Sequence, residues 1–404
     1  MRASTYPLID AVDAARTVLE RTPVLPSERL ALSRCRGRAA AEDVRSPVSL
    51  PPWPSSAVDG YAIRAADGGG RLRVVGESAA GHPFSGELPA RGAARILTGG
   101  VLPTGADTVV MVEDTTEEDG QVTVPDAFPS GRNFHPTGAD LRQGEVVIRK
   151  GTRLGPAELG LVAAMNIPQL AVGGRVRVAL MSTGDELREL GEEAGPGQIV
   201  DSNRYALMAA LQEAGAEVET LGIAPDEPRA LRTLVEDALK SADVLVTSGG
   251  VSVGTHDLVK PLLEQLGEVH IGRVKLRPGK PFTFATLPDG KLAFGLPGFP
   301  VSSLVTFEVF VRPALLKMQG FTKLQRPTLP VRLGYDARAA GDRTEYQRVT
   351  LSREGEALVA RTTGSQSSSR LMSLAGAHAL VRIPPGEAGI PAGTAVEAII
   401  WEIP

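Results

Sequence analysis

The chain has a single cysteine, Cys35, in 404 residues. A lone thiol cannot close an internal disulfide, so a reducing cytoplasm is the expected setting. Aromatic residues make up only 4%, too few for a platform that stacks nucleic-acid bases. The net charge is -4, so no global field favours nucleic acid or a membrane surface as a partner. No apolar run approaches the roughly 18 residues of a membrane span, and the opening MRASTYPLID has no apolar core of the kind a signal peptide needs. His82, His135, His256, His270 and His378 show no metal-ligand spacing such as HxxxH. No Ser/His/Asp order stands out. A zinc site and a serine hydrolase are therefore not expected. There is no internal repeat and no low-complexity tail.

Glycine and proline are plentiful, at 45 and 31, which implies many tight turns and much β structure. Hydrophobic residues at 42% and charged residues at 22% are ordinary for a globular protein. The length predicts two to four domains. Residues 7–42 read as helical: Ile9, Val12, Ala15 and Leu19 share a face, Pro23 and Pro26 end the first helix, and a second begins near Ser27 with Glu28 in its first turn. PVSLPPWPSSAVDGYAI (47–63) is Pro-rich and extended. Residues 60–150 alternate short β-like runs with Gly turns, the pattern of a small all-β module. Residues 150–174 resemble a helical connector, with Pro156 in its first turn and Leu159, Val162 and Ala163 on one face. From 175 to 318 strands such as VRVALMS, AEVETLGI, DVLVTSGG and FTFATL alternate with helical patterns, which predicts a mostly parallel sheet with helices on both faces. Residues 327–404 return to short strands, read as a small barrel or sandwich.

The chemistry-bearing groups sit in turns. Thr247-Ser248-Gly249-Gly250 follows a strand, where paired glycines let backbone amides approach an anion; a plain strand-to-loop turn is the alternative. Asp257 lies beyond it, as a site carboxylate or a helix-dipole partner. Ser182-Thr183-Gly184-Asp185-Glu186 ends another strand with hydroxyls and adjacent carboxylates, suited to Mg²⁺ shared with ligand phosphates or merely solvated. Arg277-Pro278-Gly279-Lys280-Pro281 places two cations in a turn stiffened by proline, for an oxyanion or as a basic surface turn. Gly295-Leu296-Pro297-Gly298-Phe299-Pro300 leads into the apolar helix 301–318, with Ser302 and Ser303 as added donors. Val58-Asp59-Gly60-Tyr61-Ala62 reads as a tight turn with Asp59 as its former. Leu97-Thr98-Gly99-Gly100 and Gly138-Ala139-Asp140-Leu141 are weak signals alone.

Together these turns resemble the molybdopterin molybdenumtransferase family, which includes the E domain of gephyrin. The landmarks are SSAVDGYA (55–62), RILTGGVLPTGADTVVMVED (95–114), GADL (138–141), VALMSTGDEL (178–187), IVDSNRY (199–205), DVLVTSGGVSVGTHD (243–257), RPGKPF (277–282) and GLPGFPVSS (295–303). The resemblance implies an elongated chain of α/β plus β class. A helical and extended linker part takes residues 1–58 and 139–174, with an inserted β module at 59–138. A three-layer α/β molybdopterin-binding domain spans 175–325 and a C-terminal β-barrel 326–404. It implies a homodimer whose active site is shared between subunits, with the molybdopterin adenylyltransferase and acceptor molybdoenzymes as candidate partners. The implied substrate is adenylylated molybdopterin, used with molybdate and Mg²⁺, with release of AMP and placement of molybdenum on the dithiolene sulfurs. Carried onto this sequence, Ser248, Gly249 and Gly250 hold the pterin-side phosphate. Ser182, Thr183 and Gly184 complete the neighbouring turn. Glu186, with Asp185 beside it, and Asp257 bind Mg²⁺ or position the pyrophosphate. Asp226 serves the nucleotide side, and Asp59, Thr98 and Asp140 close the site across the dimer. Arg277 and Lys280 attract molybdate, and Pro297, Pro300 and Ser302 shape the pocket. The alternatives are adenylylation of molybdopterin, and a non-catalytic molybdopterin-binding scaffold. The sequence departs from the family at Phe299, where GLPGNP is usual, at Ala139, where GEDI is frequent, and at AHA (377–379), where ANG is frequent.

Overall fold

A computed structural model describes residues 6–126, 128–225, 227–250 and 258–403. The chain divides into two compact units: Met1–Glu42, Lys150–Pro156 and Gln169–Pro404 form one, Asp43–Arg149 and Ala157–Pro168 the other.

The second unit is built on a six-stranded sheet in the order Thr108–Met111, Gly60–Ile63, Gly92–Ile96, Gly70–Ser78, Gln121–Val124, Thr116–Glu118. Tyr61, Ile63, Leu72, Val110 and Val122 meet in its core. The tight turn expected at 58–62 is instead the entry to a buried strand, Gly60–Ile63. Gly60 is required for close approach rather than for turning, because a Cβ there would overlap the carbonyl of Val110 on the adjacent strand.

In the first unit a sheet runs Glu217–Ile223, Arg177–Ser182, Val244–Ser248, Leu292–Leu296, Thr283–Thr286, Glu268–Ile271. Its first four strands are parallel and its last two antiparallel. Successive side chains point to opposite faces. Val178 and Leu180 pack with Leu207, Leu211, Val305 and Leu315 from helix Asn203–Glu213 and the helical run that begins at Pro300. Ala179 and Met181 pack with Leu231, Val235, Leu262 and Leu263 from helices Pro228–Ala238 and Val259–Leu266 on the other face. Three layers result, as the alternation of strand and helix in the sequence predicts. Stacked rings of Phe282 and Phe310, 4.4 Å between centroids, tie the last helical run to the sheet.

The C-terminal strands close on themselves: Thr344–Glu354, Ala357–Thr362, Thr328–Leu333, Ala395–Ile400 and Ala379–Ile383, the last pairing again with the first. Strand Val274–Arg277 leaves the α/β part to pair in parallel with this barrel, Leu276 opposite Thr344 and Arg277 opposite Glu345.

Two helical expectations are corrected. The first helix is Ala11–Arg21, started by Asp10, whose carboxylate accepts from the Val12 N–H at 2.8 Å. It buries Ala11, Ala14 and Val18, leaving Val12 56% exposed. No second helix follows Ser27. Glu28–Ala31 is a strand paired antiparallel with Gln169–Val172, which lies inside the expected helical connector. That connector is helical over Pro156–Ala164 only, and Asn166 at φ 57 ends it. A four-residue strand whose partner lies far off in sequence leaves no local period to read.

Candidate functional site

Strands Arg177–Ser182, Val244–Ser248 and Leu292–Leu296 end side by side, with Ser182 opposite Ser248 and Ser248 opposite Leu296. Their carboxyl ends are where an open α/β sheet binds ligands, and a cavity of about 1000 Å³ opens there. That is the upper end of small-molecule sites, roughly 300–1,000 Å³.

Thr183, Gly184 and Glu186 line the cavity from the first strand end, Ser248, Gly249 and Gly250 from the second. Gly249 and Gly250 hold φ of 87° and 66°. A Cβ on Gly250 would sit 2.6 Å from Thr183 Oγ1 and 2.8 Å from Val259 Cγ2. The glycine pair is thus what lets these turns pack, with the Gly249 N–H donated to the Leu296 carbonyl at 3.0 Å. Pro297, Pro300 and Ser302 line the cavity from the third strand end. Phe299 is the N-cap residue of helix Pro300–Thr306 and makes no side-chain cap; it is 60% exposed at the cavity wall. The Val301 N–H is instead satisfied by the carbonyl of Ser368, 3.1 Å away on the barrel side. Arg277 and Lys280 complete this wall; Arg277 Nε lies 3.7 Å from Glu345 Oε1, and Lys280 has no side-chain partner among the described residues.

The sequence reading missed the opposite wall. Arg343 and Gln366–Ser369 of the barrel also line the cavity. Their support is Arg348, which is fully buried. Its Nε donates to Ser373 Oγ at 3.1 Å and its Nη2 to the Ser367 carbonyl at 3.2 Å. Its backbone exchanges hydrogen bonds with the Gln366 amide, 2.8 and 3.1 Å. Burial pulls this guanidinium down to about 10, which leaves it cationic at neutral pH. The available signal was GSQSSSR (364–370), a serine cluster with no apolar residue in a chain whose other turns use Gly and Pro. Three cations, Arg277, Lys280 and Arg343, line the cavity together with Glu186, while the Asp201 carboxylate is buried against Arg204.

The segment carrying Glu186 is anchored through Arg204, a buried residue of helix Asn203–Glu213 that binds both carboxylate oxygens of Glu189 and lies 3.4 Å from Asp201 Oδ2. These contacts raise the Arg204 pKa, with the Glu189 bond the main cause. Asp185 lines a smaller adjoining cavity of about 230 Å³ with Leu231 and Val259. Ser182 is fully buried and belongs to neither cavity. Asp59, Thr98 and Asp140 lie in the other unit. There Asp59 Oδ1 accepts from the Thr98 N–H at 2.7 Å and from its hydroxyl at 2.8 Å, which holds the Asp59 carboxyl below the ordinary carboxylate range. Asp140 and Ala139 are exposed. His378 is internal to the barrel, its Nδ1 accepting from the Leu351 N–H at 3.0 Å. Asp226 and Asp257 fall outside the described residues.

Family models match along the chain: the MoeA N-terminal region (domain I and II) over residues 9–166, a probable molybdopterin binding domain over 179–317, and the MoeA C-terminal region (domain IV) over 330–401. A molybdopterin molybdenumtransferase of Nostoc is 38% identical, covering 98% of this chain and 94% of the relative. The chain belongs to the molybdopterin molybdenumtransferase family. A gephyrin of Dictyostelium discoideum is 34% identical over 99% of the chain, which spans 63% of that protein's length. Among solved structures, a molybdopterin biosynthesis MoeA protein from Pyrococcus horikosii superposes with a TM-score of 0.84 at 32% identity, covering 98% of this chain and 100% of the other. Among the described residues no helix is long and apolar enough to cross a membrane.

Proposed function

We propose that this protein is a molybdopterin molybdenumtransferase: it takes adenylylated molybdopterin and molybdate, cleaves the pyrophosphate link to release AMP, and delivers molybdenum to the two dithiolene sulfurs. The observation that carries the reading is the two-walled cavity. Gly-rich strand ends supply amides and the Ser248 hydroxyl for a phosphate, while Arg277, Lys280 and Arg343 stand where an oxyanion enters. The cavity's volume suits a ligand with both a pterin and a nucleotide part.

The donor set agrees with a bound Mg²⁺. This ion takes one or two carboxylates and fills its other positions with water and ligand phosphate oxygens. Among the described residues there is no cluster of three potential ligands, and Asp257 lies outside them. Glu186 would hold the ion, with Asp257 as a second ligand, and when bound it neutralises phosphate charge. The protein's own groups do the rest. Ser248, Gly249 and Gly250 fix the pterin-side phosphate, and Asp185 and Asp226 border the nucleotide side. Arg277 and Lys280 draw in molybdate and offset charge that develops on the departing phosphate. Pro297, Pro300 and Ser302 fix the third turn. In this reading the protein is a cytoplasmic homodimer, and Asp59, Thr98 and Asp140 of a second copy complete the site. The four-part division at residues 58/59, 138/139, 174/175 and 325/326 belongs to the same proposal.

The test is direct. Purified protein given adenylylated molybdopterin, molybdate and Mg²⁺ should release AMP in step with molybdenum transfer. Binding of the substrate with no AMP above background would sink the transferase and leave a scaffold.

A further inference from the structure

Asn203 heads helix Asn203–Glu213 and lines the cavity. Its Nδ2 lies 2.7 Å from the carbonyl oxygen of Gly298 and 2.8 Å from Ser248 Oγ. A carbonyl can only accept, so the amide must turn its NH₂ group to Gly298. The second hydrogen of that group then points at Ser248 Oγ, which is forced to accept. The Ser248 hydroxyl proton is thereby left unspent, and no acceptor for it exists among the described residues. Ser248 is 2% exposed, so this proton has few directions open other than the cavity its residue lines.

The same amide joins two of the three strand ends. Gly298 packs against Gly249, where a Cβ on Gly298 would meet the Gly249 Cα at 3.8 Å. The side chain of Phe299, next in the chain, has no polar atom with which to hold this turn. The turn is therefore held from outside, by Asn203 at Gly298 and by Ser368 at Val301.

We propose that Asn203 is a positioning residue: it locks the Gly298 turn onto the Ser248–Gly250 turn and polarises the Ser248 hydroxyl so that it donates to a phosphate oxygen of the substrate. The inference rests on the phosphate-cradle reading of Ser248 given above.

The experiment is a double-mutant cycle of Asn203→Ala and Ser248→Ala. The dissociation constant of adenylylated molybdopterin is measured by anaerobic equilibrium dialysis, beside AMP release and the unfolding midpoint. Asn203→Ala should weaken binding roughly tenfold, the loss of one hydrogen bond to a charged group, and should weaken it far less once Ser248 is already Ala. Asn203→Asp keeps size but offers the hydroxyl a carboxylate to donate to, so Ser248 meets the ligand with a lone pair. It should weaken binding at least as much as Ser248→Ala, and by more than any drop in its unfolding midpoint explains, since it also sets a carboxylate oxygen against the Gly298 carbonyl. Equal losses in both backgrounds, or an Asn203→Asp variant that binds like wild type, would overturn the role. Wild-type protein that binds without releasing AMP removes the transferase reading while the cycle still judges Asn203. Wild-type protein that does not bind at all overturns both.

Discussion

The two walls of the cavity are built by different means. The α/β wall is made of strand ends and glycines whose positions follow from the sheet register. The barrel wall is a serine-rich loop with no regular structure over 364–369, held by the buried Arg348 guanidinium, by the Gln366 amide on the Arg348 backbone and by the Ser368 carbonyl on the Val301 N–H. A backbone wall is set by geometry that a side-chain change seldom reaches, whereas a loop held by a few side-chain contacts loosens when one of them is removed. The first should therefore be sensitive to added bulk and to lost charge, the second to loss of its support.

The largest effect is expected on the α/β wall. Glu186→Gln removes a negative charge at nearly constant size and should slow AMP release roughly 100-fold. Unchanged turnover at saturating Mg²⁺ would strip Glu186 of its assigned role. Gly250→Ala adds one methyl group to a residue at φ 66°. Left-handed backbone costs an ordinary residue about 1–2 kcal/mol, so substrate KM should rise roughly 5- to 30-fold. The barrel wall is probed by Arg348→Met, which removes the guanidinium donor to Ser373 Oγ and to the Ser367 carbonyl, the latter keeping the Arg370 N–H at 3.3 Å. A hydrogen bond from a charged group is worth about 1.5–3 kcal/mol, and the KM for molybdate should rise roughly tenfold while proteolysis within 364–370 accelerates. If that variant instead raised the KM for the pterin substrate alone, the division of labour between the walls would be wrong.

Phe299→Asn tests the junction of the walls. A polar cap competes with Ser368 for the Val301 N–H and should stabilise the helix by about 1 kcal/mol, read as a higher denaturation midpoint, while loosening the serine loop. The smallest effect belongs to the other unit, which serves as a reference. Thr98 favours ionised Asp59, so this contact is complete above the ordinary carboxylate range and is lost as pH falls through the lowered Asp59 pKa. Thr98→Val should move that titration upward in carboxyl NMR, with no change at Glu186.

The same contrast explains what the sequence disclosed. Strands such as Arg177–Ser182 are apolar over 178–181 and end in Gly-containing turns, so both the parallel sheet and the turns that line the cavity could be read from the residues. Thr183, Glu186, Ser248, Arg277, Lys280 and Pro297 were expected in one site and meet in one cavity. The barrel strands were also visible, but not which of their loops faces the site. Arg348 looks like any strand arginine until the closed sheet buries it. Asn203 lay within a quoted motif without a role, because its two acceptors are 45 and 95 residues away. Glu28–Ala31 was misread for the same reason: its partner strand is distant and its own period too short.

The strand Val274–Arg277 joins both walls, since it carries Arg277 into the cavity and pairs with the barrel through Leu276 and Arg277. An opening that parts the walls must break main-chain pairing and draw Arg277 from Glu345. The slot is thus riveted along one edge. Substrate exchange then falls to the unriveted side, and turnover should be paced by the loops bordering that mouth rather than by a jaw-like swing of the barrel.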